Sequence, residues 1–335
     1  MFDKRTIALK FSAEAAKEEF RQLYGNGEDV ASDQAARYAA LLDEYVARFG
    51  CEGAAPDFFS APGRTEIVGN HTDHNNGLVL AAAVTLDTLA AAAPTDDGVI
   101  TLYSAGYDKP FVVDTADLEL REAEKNTTQA LIRGVCRKLR DMGYAVGGFN
   151  AAVTSRVQGG SGLSSSAAFE VMLVCVLDGL YNGGILDGVT RAKISQWVEN
   201  VYFGKPSGLM DQSASSIGGL VGIDFKTADP KIEALSFDFE ARGFHLVVLA
   251  TNSSHDDLTM EYAAIPEEMR QVARAMGGSV LRNFKADALL ARLDEIRKAT
   301  SDRAVLRALH YYDENERVKA IVEAVRAGKL DAFLS

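Results

Sequence analysis

Residues 159–168 read Gly-Gly-Ser-Gly-Leu-Ser-Ser-Ser-Ala-Ala and stand between a β-type stretch, GGFNAAVTSRV, and a long apolar segment from Ser164 to Leu180. Gly159, Gly160 and Gly162 let the backbone turn several N–H groups toward one point. A helix opening there adds roughly half a positive charge, so the turn suits phosphate oxygens. Ser161, Ser164, Ser165 and Ser166 supply hydroxyls that can cap the helix, bind phosphate or ligate magnesium, and a plain N-cap on a core helix is the simpler alternative. No Gly-Lys-Ser/Thr follows, Ser165 stands where G-x-G-x-x-G needs its third glycine, and Leu163 breaks the G-x-S-x-G pattern. Walker, dinucleotide and nucleophile-elbow chemistries therefore lose support.

A second run, Pro62-Gly63-Arg64-Thr65-Glu66-Ile67-Val68-Gly69-Asn70-His71-Thr72-Asp73-His74-Asn75-Asn76-Gly77, packs side-chain donors and acceptors between glycines. Such a density suits a hydroxyl-rich ligand held by many directed hydrogen bonds, and a sugar is the natural candidate. His71, Asp73 and His74 also permit a metal reading, and Asn-Asn-Gly a solvated β-turn. The third run, Gly208-Leu209-Met210-Asp211-Gln212-Ser213, sets one acid among small and apolar residues. Asp211 is either a helix cap or a carboxylate that orients and deprotonates a hydroxyl.

The elements that must position these runs follow from apolar spacing. Ala36, Ala39, Leu41, Leu42, Tyr45 and Phe49 recur at helical intervals within residues 12–49, and Leu131, Ile132, Val135, Leu139 and Met142 do so over 128–142. Short apolar runs separated by Asn-Asn-Gly, Asp-Asp-Gly and Lys-Pro predict strands from Thr65 to Val113. Further strands are expected at Leu220 to Phe225 and Phe244 to Thr251, with helices around 190–203 and through most of the remainder.

The 335 residues carry 35 Lys and Arg against 47 Asp and Glu, a formal charge of −12. No general field for nucleic acid exists, so a phosphate ligand must be held by local dipoles or a metal. Three cysteines without C-x-x-C spacing exclude a disulfide framework and a cysteine zinc site and fit a reducing cytoplasm. No apolar run approaches the ~18 residues of a membrane span, and a protein partner is not specified.

In this order, A-P-G-R-T-E-I-V-G-N-H-T-D-H-N-N-G, G-G-S-G-L-S-S-S-A-A and G-L-M-D-Q resemble the galactokinase branch of the GHMP small-molecule kinases. The resemblance runs from about Phe59 to the C-terminus and includes N-S-S-H-D-D-L-T-M-E-Y at 252–262 and D-E-N-E-R-V at 313–318. It implies ATP-dependent phosphorylation of the anomeric hydroxyl of galactose. Asp211 becomes the catalytic aspartate paired with Arg64, whose guanidinium would lower the carboxyl's pKa and hold its position. ATP is expected on Gly159 to Ser166 and magnesium on Ser165 and Glu199. The sugar is expected on Glu66, Asn70, His71, Asp73, the backbone at Gly208, and Tyr262. The family's G-E-H is Gly69-Asn70-His71 here, its G-R-x-N is Gly63-Arg64-Thr65-Glu66, and its tyrosine after the aspartate is His74. These departures keep N-acetylgalactosamine or an arabinose-like pentose as alternative sugars, and a catalytically silent sugar and ATP sensor as an alternative role.

The implied fold is α+β in two lobes with the site in their cleft. A helical extension over 1–55 precedes a ribosomal-protein-S5-domain-2-like ATP- and sugar-binding domain over 56–225. A truncated ferredoxin-like C-terminal domain follows over 226–335. The family's second glycine-rich turn does not occur before Ser335, so Val318, Ile321, Val322 and Val325 are expected to present an uncovered helix face.

Overall fold

The computed structural model describes residues 1–70, 72–205, 207–249 and 259–334, without the side chains of Thr259, Met260, Tyr262 and Ala263. The chain forms two compact units, each discontinuous in sequence: Met1–Gly63 with Val84–Ser216, and Arg64–Ala83 with Ile217–Ser335. The sequence reading drew its boundaries at 55 and 225. The units instead exchange segments because strands β1 (Asp57–Val68) and β2 (Leu78–Pro94) each contribute residues to both.

In the first unit, helices α1 (Lys4–Phe11), α2 (Glu14–Tyr24) and α3 (Val30–Phe49) precede β1. Beyond β2 come β3 (Val99–Ser104), β4 (Phe111–Asp114), α4 (Thr128–Asp141), β5 (Phe149–Ser155), α5 (Ser165–Asn182), α6 (Gly188–Val198) and α7 (Met210–Ile217). The strands run in the order β4-β3-β5-β2, with β1 also paired to β2. The segment Leu89 to Ala93 reads as an unbroken apolar run because both faces of the sheet are covered. Ala90 and Ala92 face the core built with α4, α5 and α6, while Leu89, Ala91 and Ala93 face Phe20, Tyr38, Leu41 and Tyr45 of α2 and α3. Alternate side chains of a strand point to opposite faces, and alanine lets a helix approach on either side. The N-terminal helices are thus one layer of this unit's core, where the sequence reading expected an extension.

Asp87, on β2, is buried beneath α2 and α3. It accepts hydrogen bonds from Tyr24 Oη at 2.7 Å, Arg37 Nη1 at 2.5 Å and Ser60 Oγ at 2.5 Å. Two of these donors come from the N-terminal helices, so this carboxylate fixes their seat on the sheet.

In the second unit, β2 pairs with β6 (Leu220–Asp224), and β6 with β7 (Lys231–Leu235), both antiparallel. Helices α8 (Thr259–Ala275), α9 (Ala286–Leu290), α10 (Leu293–Ala299), α11 (Asp302–Arg326) and α12 (Leu330–Leu334) follow. The sequence reading is corrected at two places. Residues 244–249 form no strand and leave Leu246, Val247 and Leu249 exposed, since no described strand pairs with them. Val318 and Val325 of α11 are buried and Ile321 and Val322 half-buried, packed with Val68, Leu80, Leu220 and Phe333, so this helix face is covered. β7 escaped the sequence reading because Lys-Ile-Glu-Ala-Leu is only five residues long and two of them are charged.

Candidate active site

The glycine-serine loop lies between β5 and α5 in the first unit. Gly160 and Gly162 have φ of 74° and 76°, a left-handed region that glycine enters without steric cost, and a Cβ at Gly159, Gly160 or Gly162 would meet nothing within 4 Å. Leu163 is buried with Val157 and Ala168, so one apolar side chain pins the loop while its glycine backbone faces open space. A Cβ at Gly63 would stand 2.9 Å from the Leu163 carbonyl oxygen and 3.0 Å from Val157 Cγ1, so the glycine of A-P-G-R lets β1 pass close beneath the loop. Ser161 Oγ donates back to the Gln158 carbonyl at 2.6 Å, which closes the turn.

Ser164 is the residue before α5 and sits at φ 56°, ψ 63°, a conformation that costs a non-glycine residue about 1 kcal/mol or more. Its hydroxyl does not cap the helix. It donates instead to Asp211 Oδ2, in the first turn of α7. The first-turn N–H groups of α5 therefore have no side-chain cap, and together with the helix dipole they favour an anion at the glycine loop.

Behind this loop lies a group of buried acids. Glu199, 1% exposed, accepts from Ser166 Oγ at 3.0 Å and Lys205 Nζ at 3.0 Å on Oε1, and from Gln212 Nε2 at 2.6 Å on Oε2. The serine that reaches Glu199 is Ser166, one residue beyond Ser165. Glu199 begins a π-helical turn to Phe203, and this wider turn returns Lys205 to the carboxylate that opens it. Glu170 of α5 is fully buried, and neither carboxyl oxygen has a hydrogen-bond partner. Burial, and then the Glu199 charge, push its pKa well above 4.5, and neighbouring Gln212 offsets only part of that. The protonated form carries the donor that Gln212 Oε1, itself without a partner, lacks. Ser166 Oγ and the Glu199 carboxylate are oxygen donors of the kind a hard divalent cation such as magnesium takes, with few protein ligands.

The second run of the sequence lies in the second unit from Arg64 onward. Gly69 (φ 129°) and Asn70 (φ 39°) turn the chain out of β1, and a Cβ at Gly69 would come within 2.8 Å of Val79 Cγ1. Thr72 to Gly77 form a tight turn: Gly77 N–H donates to the Thr72 carbonyl at 2.9 Å, and Thr72 Oγ1 to the Leu78 carbonyl at 2.7 Å. Asp73 is half-buried, with His74 Nε2 3.8 Å from its Oδ1. His71 and the Tyr262 side chain lie outside the described residues. The metal reading of this turn needs His71 and so falls outside the described residues.

The structure thus brings Asp211 to Ser164, and Glu199 to Ser166, within one unit, and Gly208 lies two residues before α7 in the same unit. Sequence reasoning missed Lys205 and Gln212 as partners of Glu199, Glu170 as its buried neighbour, and Gly63 as a packing glycine. Glu170 left one legible signal, an acid inside the apolar run from Ser164 to Leu180.

Residues 43–94 match the galactokinase galactose-binding signature, and residues 130–219 match the GHMP kinases N terminal domain. A galactokinase of Streptomyces coelicolor is 35% identical over 286 residues, covering 84% of this chain and 72% of that protein. The human galactokinase is 34% identical, with coverages of 88% and 75%. Among solved structures, Lactococcus lactis galactokinase complexed with galactose aligns with a TM-score of 0.74 at 25% identity, over 89% of this chain and 76% of that one. Methanococcus jannaschii mevalonate kinase aligns with a TM-score of 0.51 at 15% identity, over 81% of each chain, a likeness of fold. With a phosphate-suited loop, an aspartate tied to its serine and this degree of identity, the chain belongs to the galactokinase branch of the GHMP kinases.

Proposed function

We infer that this protein transfers the γ-phosphoryl group of ATP to the anomeric hydroxyl of galactose. The bond from the sugar oxygen to γ-phosphorus forms as the bridging bond to ADP breaks, and the hydroxyl proton leaves. The observation that carries this reading is the join of two features at Ser164: an open glycine backbone before α5, and a hydroxyl donated to Asp211. In the first unit, the backbone of Gly159 to Leu163 and the hydroxyls of Ser164, Ser165 and Ser166 serve the phosphates, and Asp211 orients the attacking hydroxyl and takes its proton. The Ser164 hydroxyl steers the Asp211 carboxylate and keeps it an acceptor. Glu199 would hold magnesium with Ser165 or, on the geometry of its hydrogen bond, Ser166. When bound, the ion neutralises charge on the transferring phosphoryl group. In the second unit, Arg64 keeps the catalytic role that the resemblance implies for it, and Glu66, Asn70, His71, Asp73 and Tyr262 serve sugar recognition, as the Gly208 backbone does in the first.

A panel of galactose, N-acetylgalactosamine and L-arabinose with ATP, read by ADP release and by the phosphorylated product, tests the assignment. Galactose-dependent ADP release is expected. ADP release with another sugar and none with galactose overturns the substrate, and sugar binding with no phosphoryl transfer overturns the enzyme in favour of a sensor.

A further inference from the structure

Glu199 is held at both carboxylate oxygens, but its three donors differ in how readily they can leave. Gln212 Nε2, on Oε2 at 2.6 Å, is buried on α7, and Ser166 Oγ, on Oε1 at 3.0 Å, belongs to the first turn of α5. The third donor, Lys205 Nζ, reaches Oε1 at 3.0 Å from a side chain that is 56% exposed. A lysine has a flexible stem and a strongly hydrated ammonium, so Lys205 can return to water at little cost, whereas the buried carboxylate cannot.

The backbone keeps Lys205 close whether or not its ammonium is engaged. The Gly204 and Lys205 N–H groups both donate to the Glu199 carbonyl oxygen at 3.0 Å, and Gly204 has a φ of 86°, which glycine adopts freely. Residue 199 thus anchors this turn through its main chain and holds the ammonium through its side chain. An ammonium and a divalent cation compete for Oε1, since both seek the same oxygen and their like charges repel at close range.

We propose that Lys205 is a positioning residue, the internal counter-ion that keeps the Glu199 carboxylate beside Ser166 and gives up Oε1 to magnesium. This deepens the reading of Glu199 as a magnesium carboxylate and rests on it.

The test follows thermal unfolding of the full chain with a fixed amount of an unhydrolysable ATP analogue, across a MgCl2 series and an NaCl series of matched ionic strength. Wild type is compared with Glu199→Gln, Lys205→Met, Lys205→Gln and Lys205→Arg. Magnesium should raise the wild-type Tm beyond the NaCl control, and Glu199→Gln should move the midpoint of that rise at least about tenfold higher in MgCl2. Lys205→Met keeps the stem and removes the charge. Its Tm without magnesium should fall by about 2 to 4 °C, and its magnesium midpoint should fall about tenfold, the scale of one charge-assisted hydrogen bond. Lys205→Arg keeps the charge and should return the midpoint to within about threefold of wild type. A lysine with a merely structural role would lower Tm and leave the midpoint where it is. Lys205→Gln removes the charge and keeps a donor, so it reads the same role if Lys205→Met does not fold.

A magnesium midpoint that stays or rises when the charge is removed overturns the proposal. Loss of the analogue's own stabilisation before magnesium is added makes Lys205 a phosphate ligand and overturns it as well. A wild type that responds to MgCl2 no better than Glu199→Gln overturns the magnesium reading and this role with it, while galactose-dependent ADP release stands apart from both results.

Discussion

Two buried acidic sites in the first unit use the same residue chemistry to opposite ends. Around Asp87 both carboxylate oxygens are taken, by Tyr24, Arg37 and Ser60, and the donors come from helices and a strand with no open backbone nearby. Around Glu199 the carboxylate is held as well, yet Glu170 and Gln212 Oε1 next to it have no partners, and Ser164 sits in a left-handed conformation. A buried polar group left unpaired costs free energy, and a saturated one stabilises and specifies. The difference separates a site that holds the fold together from one that awaits ligands, although both would be described in the sequence only as acids in apolar surroundings.

The comparison can be broken by removing one acid at each site. Asp211→Asn should lower kcat by about 10²- to 10⁴-fold, the range of a lost general base, with Tm nearly unchanged. Steady-state ADP release alongside thermal unfolding checks both halves, and an unchanged kcat would remove Asp211 from its role. Asp87→Asn should do the reverse: it leaves the buried Arg37 guanidinium without its counter-charge and should cost about 3 to 5 kcal/mol in denaturant unfolding. Its kcat per folded molecule should remain that of the wild type.

Ser164 sharpens the contrast by separating strain from chemistry. Ser164→Ala and Ser164→Gly both remove the hydroxyl from Asp211, and both should lower kcat. Only the glycine variant relieves the left-handed backbone, so it should be about 1 to 2 kcal/mol more stable than the alanine variant in urea unfolding. Equal stability of the two would show that the conformation is not strained.

The smallest effect is expected at Glu170. Its folded pKa is raised above 4.5, so as pH climbs past 4.5 the unfolded chain ionises this group while the folded protein keeps it neutral, and stability is lost progressively up to the folded pKa. Glu170→Gln cannot ionise. In metal-free buffer it should match the wild type below about pH 4 and exceed it by about 1 kcal/mol at neutral pH. A gain that does not grow with pH would mean that Glu170 is not the titrating group.

Much of this molecule was legible in the chain. Helical spacing located α3 and α4 because an apolar stripe at 3.6-residue intervals has few other uses, the long apolar run from Ser164 located α5, and turn residues separated β2, β3 and β4. The glycine loop was legible because its positive-φ positions admit little but glycine. Residues 244–249 were misread because an apolar run specifies burial, and a strand exists only where another strand supplies its hydrogen bonds. Residue types and short-range order thus determined the elements, the phosphate-suited turn and the family. Only the tertiary structure decided that Ser164 turns to Asp211 47 residues on, that Ser166 meets Glu199 across 33, and that Glu314 accepts a hydrogen bond from Asn70 across 244. These pairings depend on how helices pack, and packing is settled by side chains far apart in sequence whose contacts no local pattern encodes.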